Sequence, residues 1–553
     1  MRIFGRFEEE AGKLIEKTLK VERAVIEDAP GQFGDAYSRI CFELAYRTGK
    51  SPAAVAEEAV KRMKIPEGSL IKKVEAVNGY INFHLNYEKL ASELLRKIKK
   101  CKKDYGRGSK KEKYTLEHTS ANPDGPLHIG HGRNAIIGDS LARIMRFYGC
   151  DVETHFYIND MGKQLAVVVW GLERLKLDTK KKNDLAIAEV YIKANKMLNE
   201  EAGGEISEMM KAYEAGDERV VKEFKKAAKY CIDGIKETLR RINIKHDVFI
   251  WESNFVRDSS VENVVKKLRK TKYFKADGVL YLDLRDFGIE KELVLSRKDG
   301  TYLYTTRDAA YHLWKSKKGK VIDIFGADHK LVVQQLKAVL QILKCPTPDF
   351  IIYEFISLPS GSMSTRRGEF ISLDGLIKES VSRARKEVEK RRGSESEKFK
   401  ISVAESVGTG AVRYNIVRVA PEKPMVFKWE EALDFEKQGA PFIQYAYARA
   451  CRILEKEKVR DKYEIPELTE NERLLINILS KFPEAVKKSA EMRKPSLMAT
   501  YVLDLANAFH RFYMFEPVLK SEQKEFRLNL VYATKVTLRN ALELLGINPL
   551  ENM

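Results

Sequence analysis

Two hydrophobic periods alternate through the first hundred residues. Tyr37, Ile40, Cys41 and Leu44 recur at helical spacing, whereas Ile81 to Leu85 alternates as a strand does. Together they predict a small α+β unit over residues 1–105. It is closed by KKCKKDYGRGSKKEK, a run without apolar periodicity that reads as a linker or basic patch. From Tyr114 the texture changes: YTLEHTS predicts a strand, NPDGP a turn, and LHIGHGRNAIIGDSLARIMRFYGC a helix. That helix carries Ile137, Leu141, Ile144 and Tyr148 on one face, with Gly149 as its closing residue. DVETHFYIND follows at once as another strand, and strand, helix, strand in succession implies a parallel crossover and an α/β unit over 106–425. A charged helical stretch at about 172–245 separates this unit from the later strands VFIW and VLYLDL and reads as an insertion. RRGSESEKFK, near 391–400, reads as a solvated connection. Beyond about 425 strands give way to helix after helix, which predicts an all-α bundle over 426–553.

Charge changes this picture. The 553 residues include 99 Lys and Arg against 80 Asp and Glu, a formal net charge of +19. Because both signs are abundant, the excess acts as a surface field that favours a polyanionic partner, although Lys/Glu-rich surfaces also serve solubility and ion pairing. Cys41, Cys101, Cys150, Cys231, Cys345 and Cys451 form no CxxC pair, so they are expected to be buried thiols in a reducing compartment, and no resident metal site is expected. The N-terminal MRIFGRFEEEAGKLIEKTLK lacks an uninterrupted apolar core, and no later run approaches a membrane span. The expectation is a cytoplasmic protein without membrane contact.

Candidate chemistry begins at His128-Ile129-Gly130-His131, just after a strand and a Pro-containing turn, in the first turn of a helix. Sheets of this kind bind nucleotides there, since a helix N-terminus presents free N–H groups and the positive end of its dipole. Two imidazoles add donors for polyphosphate, and Gly130 has no Cβ to keep an adenine plane away.

EHTSANPDGPLHIGHGRNAIIGD followed by YINDMGKQ resembles the signature region of class I aminoacyl-tRNA synthetases, and of the arginyl family in particular. The resemblance implies a Rossmann-type catalytic domain in which His128, Gly130 and His131 hold ATP. A second signature of that class, a loop whose lysines stabilise the leaving pyrophosphate, corresponds to Gly361-Ser362-Met363-Ser364-Thr365-Arg366-Arg367-Gly368. Neither signature lysine is present. Arg366 and Arg367 are the candidate cations beside Ser362, Met363 and Ser364, and the position just before the first signature, where some relatives carry a compensating lysine, is Gly125.

An arginine pocket must meet a planar five-donor guanidinium with acceptors and hold the α-amino and carboxyl ends separately. The resemblance assigns Glu117, Ser120 and Asn122 to the amino and carboxyl end, with His131 beside them. It assigns Tyr304 and Asp308 of TYLYTTRDAAYHLW to the guanidinium, and adds Glu252 of FIWESN and Asp328, next to His329, of IFGADHK. Read without the family, Asp308 caps the helix AAYHLWK and Glu252 makes a surface salt bridge. The N-terminal unit resembles the domain that reaches the tRNA elbow, with Phe33, Tyr37, Tyr80 and Phe83 as candidates to stack a base or, alternatively, as core. APFIQYAYARACRIL and GINPLENM resemble the family's anticodon-binding domain, where Tyr445, Arg449, His510 and Tyr513 combine stacking faces with donors.

The expected function is that of an arginine–tRNA ligase acting as a monomer. Its substrates would be arginine, ATP with Mg²⁺ on the phosphates, and tRNA(Arg), and the resemblance further implies that activation requires bound tRNA. Two other readings remain open at this level. One is a class I synthetase for another amino acid. The other, motivated by the missing signature lysines, is a catalytically silent tRNA-binding paralogue.

Overall fold

A computed structural model describes residues 3–29, 33–357 and 372–553. Its centre is a five-stranded sheet built from β1 (Lys113–Glu117), β2 (Asp151–Ile158), β3 (Val248–Trp251), β4 (Lys320–Gly326) and β5 (Asp349–Tyr353). The strand order is β5-β4-β1-β2-β3 and every pairing is parallel. The order reverses at β1, whose C-terminal end opens on the crevice where such sheets place ligands. Helix α1 (Ile129–Phe147) crosses from β1 to β2. Helices α2 (Glu252–Arg257) and α3 (Tyr304–Lys315) follow β3 and precede β4.

VLYLDL contributes a strand, Val279–Leu282, but to a separate three-stranded antiparallel sheet. The insertion is helical as expected, with Asn183–Lys196, Glu200–Ala215 and Glu218–Arg241. RRGSESEKFK is a largely exposed connection, as its composition predicts. It is a tight turn between α4 (Leu373–Arg392) and α5 (Glu397–Val417), where the Ser396 hydroxyl accepts from the Phe399 N–H and caps α5.

At the N-terminal end a four-stranded antiparallel sheet packs with helices, and Asn78-Gly79 forms its two-residue hairpin turn. Both residues take positive φ, 50° and 87°, the mirror-image turn that matches strand twist and that Asn-Gly adopts at low cost. The C-terminal bundle comprises α6 (Ala440–Lys456), α7 (Glu470–Glu491), α8 (Pro495–Phe515) and α9 (Lys524–Leu544). The basic stretch near 105 is no free linker. Tyr105 is buried, its hydroxyl donates to the Leu479 carbonyl, and Asn540 donates to the carbonyls of Lys102 and Tyr105. One apolar core therefore runs from Phe7 to Ile547 across all three parts. Among the described residues no helix is long and apolar enough to cross a membrane.

Helix α1 is enclosed on nearly every side, so its polar residues must find partners inside the protein. Arg133 donates to the carbonyls of Glu354, Phe355, Ala420, Pro421 and Lys423, which ties α1 to the chain after β5 and to the approach to the bundle. From α5, Arg413 reaches Asp139 and Ser140 of α1, the Ile242 carbonyl at the end of the insertion and the Leu545 carbonyl at the end of α9. Arg413→Leu removes this staple and leaves the buried Asp139 carboxylate with Arg143 as its ion partner. We expect a loss of about 3 kcal/mol in unfolding free energy by urea denaturation. A loss below about 1 kcal/mol would show that the staple carries little of the assembly's stability.

Candidate active site

His128 is the N-cap of α1, and its ring closes a reciprocal box with His131. His128 Nδ1 accepts from the His131 N–H at 3.1 Å, and His131 Nδ1 accepts from the His128 N–H at 3.4 Å. With both Nδ1 atoms acting as acceptors, a neutral ring carries its proton on Nε2. The rings stack with centroids 3.5 Å apart. Burial lowers both pKa values, and the neighbouring ring helps carry His131 down to about 3, so two neutral N–H donors stand at a helix N-terminus. A Cβ at Gly130 would lie 2.8 Å from the His128 ring, so the glycine permits this packing as well as close approach from outside.

The wall of the crevice at the end of β1 starts from a strained turn. Directly after β1, Thr119 and Ser120 take φ of 73° and 40°, and the Ser120 N–H closes a γ-turn onto the His118 carbonyl. Left-handed conformations cost on the order of 1 kcal/mol or more each and persist only where neighbours over-determine them. Here Ser120 Oγ donates to Glu117 Oε1 at 2.9 Å and accepts from the Tyr157 N–H at 3.0 Å, while Asn134 of α1 accepts from the Thr119 N–H. The turn thus fixes Ser120 over the carboxylate at the end of β1.

Glu252, at the first position of α2, is 1 % exposed, which rules out a surface salt bridge. Arg307 of α3 donates to its Oε1 at 2.8 Å, whereas Oε2 is buried without a protein partner. The hydroxyl of Tyr157 on β2 is also buried and unpartnered, and it lies within electrostatic range of Glu252, Asp308, Arg307 and Glu117. Asp308 lies inside α3 rather than at its cap, which is Leu303, and Tyr304 lies one turn earlier on the same face. The sheet ends and α3 therefore bring Glu117, Glu252 and Asp308 together, with orphaned polar atoms among them. A buried acceptor left unpaired is costly, so a ligand rich in donors is the natural complement.

Behind these carboxylates lies a buried chain of ions. His312 Nδ1 is 2.8 Å from the Asp308 main-chain carbonyl and 3.1 Å from the Asp308 carboxylate, and Nε2 is 2.9 Å from the Asp323 carboxylate. Lys315 Nζ is 2.6 Å from Asp323 and 2.7 Å from Glu117. Burial pushes the Glu117 and Glu252 carboxyls up, against the pull of Lys315 and Arg307 respectively. For His312 burial is the largest influence and opposes charge, as does Lys315, but Asp308 and Asp323 outweigh both and lift it to about 10.

The asparagine Asn122 donates to Gln164 at the rim. Asp328 does not join the carboxylate cluster. The short 3-10 turn Ala327–His329 after β4 carries it towards His128, on the nucleotide side, with its carboxylate exposed beside the His329 ring. Ser362, Met363, Ser364, Arg366 and Arg367 lie outside the described residues. Sequence reasoning missed Tyr157, Arg307, His312, Lys315 and Asp323. The available signal was Asp308, His312 and Lys315 at i, i+4 and i+7, charges lining one face of a helix.

On the flanking parts, Arg449 stacks over Tyr445 and Tyr513, donates to the Tyr445 hydroxyl at 3.0 Å and meets His510 at 3.4 Å. The four candidate residues of the bundle thus form one cluster beside a cavity of about 670 Å³. In the N-terminal unit Tyr37 and Tyr80 pack edge to face, and Tyr80 and Phe33 are exposed. Phe83 is fully buried in the sheet core and has no face to offer a base, which corrects its assignment as a stacking residue. Among the described residues no three His, Cys, Asp or Glu side chains gather as a metal cage.

The charged state of His312 sets a pH dependence. A histidine raised from about 6.5 in the unfolded chain to about 10 contributes stability fully present below pH 6.5 and lost as pH rises to 10. Unfolding free energy should fall by on the order of 1 kcal/mol per pH unit across that window, and His312→Gln should flatten the slope. Equal slopes in the two proteins would mean that His312 is uncharged in the fold.

Comparison with known proteins now places the chain. The family described as tRNA synthetases class I (R), catalytic domain, matches residues 91–429. The arginyl tRNA synthetase N terminal domain matches 4–85, and the DALR anticodon binding domain matches 443–553. The arginine–tRNA ligase of Methanocaldococcus jannaschii is 52% identical, with 94% of this chain and 93% of the relative covered. That of Methanosarcina mazei is 46% identical with both chains fully covered. The solved arginyl-tRNA synthetase of Thermus thermophilus superposes with a TM-score of 0.83 at 28% identity, covering 99% of this chain and 100% of the other. With its catalytic domain matched over more than half its length, and with nearly full-length relatives about half identical, this chain belongs to the arginyl family of class I tRNA synthetases.

Proposed function

We infer that the protein is an arginine–tRNA ligase, which activates arginine with ATP to arginyl-adenylate and transfers the arginyl group to the 3′-terminal adenosine of tRNA(Arg). The observations that carry this reading are the convergence of Glu117, Glu252 and Asp308 about α3 and the ends of β1 and β3, and the neutral, stacked His128–His131 pair at the N-terminus of α1, the helix that follows β1. The carboxylates of Asp308 and Glu252, with Tyr304 as a wall, receive the guanidinium. Glu117, Ser120, Asn122 and His131 hold the amino and carboxyl end. An arginine carboxylate oxygen attacks the α-phosphorus, the bond to the bridging oxygen breaks, and pyrophosphate leaves. His128 and His131 donate Nε2–H to phosphate oxygens as neutral donors, their Nδ1 atoms being held by main-chain N–H groups, and so meet the negative charge that builds in the transition state.

The signature segment with Ser362, Met363 and Ser364 supplies Arg366 and Arg367 for the leaving pyrophosphate, where guanidinium groups replace point-charge lysines. Mg²⁺ would come bound to the nucleotide's phosphates and would offset their charge there. The terminal 2′-hydroxyl of tRNA then attacks the adenylate carbonyl and AMP leaves. Arg449, Tyr445, His510 and Tyr513 receive anticodon bases, and Phe33, Tyr37 and Tyr80 meet the elbow loop. One chain carries the catalytic crevice and both flanking parts, which supports a monomeric enzyme. Six unpaired cysteines suit the reducing cytoplasm.

Pyrophosphate exchange with arginine, ATP and tRNA, run with each omitted in turn, tests the reading. Exchange should require arginine and ATP and should not occur with lysine, and silence in the complete mixture would leave a binding protein without chemistry. Asp308→Asn should raise the arginine KM roughly 30-fold or more while the ATP KM stays near wild type. A near-normal arginine KM removes Asp308 from the pocket. Arg449→Ala should weaken tRNA binding roughly tenfold and leave the arginine KM alone, and unchanged tRNA affinity counts against that contact.

A further inference from the structure

The parallel ladder pairs Asp323 on β4 directly with Glu117 on β1, setting two carboxylates side by side in the interior. Left alone they would repel strongly, because little water is present to screen them. Lys315 lies between them and touches both, and His312 joins Asp323 to Asp308. Lys315, His312 and Asp323 are all within 1 % of complete burial as side chains. No solvent path therefore replaces these contacts. The chain Glu117–Lys315–Asp323–His312–Asp308 runs behind the crevice from Glu117 to Asp308, and its middle three members are buried.

We propose that His312 is a positioning residue for arginine recognition. Held by Asp323 from behind, it fixes the Asp308 carboxylate in the orientation and charge that the guanidinium requires, as Lys315 does for Glu117. This rests on the reading that Asp308 meets the guanidinium. The groups facing His312 are Asp308 and Lys315 from its own helix and Asp323 from β4, with Tyr311 beside it and Phe350 of β5 against its ring. Two cations against three carboxylates leave the chain one negative charge, and arginine brings one net positive charge. Removing the charge of His312 leaves a carboxylate that the substrate does not neutralise. Because His312 touches neither ATP nor the reacting carboxylate, its loss acts on arginine affinity and not on the chemical step.

The test is a double-mutant cycle on His312→Gln and Asp308→Asn, read by exchange kinetics in the presence of tRNA, with thermal melting as a control for folding. H312Q should raise the arginine KM roughly 10- to 30-fold, with kcat and the ATP KM within about twofold of wild type. Combined with D308N it should add almost nothing to the defect of D308N alone, because both changes remove the same interaction. A near-normal arginine KM in H312Q overturns the proposal. So do penalties that multiply in the double variant, which would place His312 on another route. If D308N itself binds arginine normally, the reading of Asp308 fails first, and that result is distinct from failure of the bridge. Should H312Q not fold, His312→Asn takes its place in the cycle under the same criteria.

Discussion

Ionic groups removed from water must be met by opposite charge or by oriented dipoles, and in this protein those meetings occur at the seams. Arg133 on α1 gathers five carbonyls from the chain after β5 and from the segment leading to the bundle. Arg413 on α5 joins α1, the insertion and the end of α9. Apolar packing alone would let these parts slide over one another, because it has no direction. Hydrogen-bonded guanidinium groups set a register, and they set it around the helix whose N-terminus carries the histidine pair.

The crevice inherits its geometry from that frame. β1 ends where the strand order reverses, the γ-turn at Thr119 and Ser120 holds the chain against its own preference, and α1 starts at Ile129 after the NPDGP turn. α3 approaches from the other side with Asp308, His312 and Lys315 in one stripe. Three acidic groups can then share a small, largely dry space, because three buried cations, Arg307, His312 and Lys315, stand against them. The carboxylates of the crevice and the ions of the fold's interior are one electrostatic unit here, because each of those acids is paired with a buried cation.

The two flanking parts show the same division between what patterning reveals and what it hides. Tyr445, Arg449, His510 and Tyr513 stand on two helices some sixty residues apart, yet the bundle stacks them into one cluster. Phe33, Tyr80 and Phe83 are alike in composition, but the first two are exposed and Phe83 is sealed between strands. Hydrophobicity cannot separate such residues, because an aromatic ring suits both a core and a base.

Local rules made a good part of the molecule legible from its residues: the βαβ start, the helical insertion, the terminal bundle, and the histidine motif at a helix entrance. Each of these depends on neighbours within a few positions, through periodicity, capping or turn conformation. The pairing of Glu117 with Lys315, of Glu252 with Arg307 and of Asp323 with both His312 and Lys315 was not legible, because strand order and helix approach decide it. The same holds for Asp328, which one short turn carries to the nucleotide side, and for the basic stretch near 105, which Tyr105 anchors in the bundle. A charged residue looks alike in sequence whether it faces water or an ion partner. Only the tertiary fold removes the water and brings the partner, and that removal turns scattered acids into a binding site.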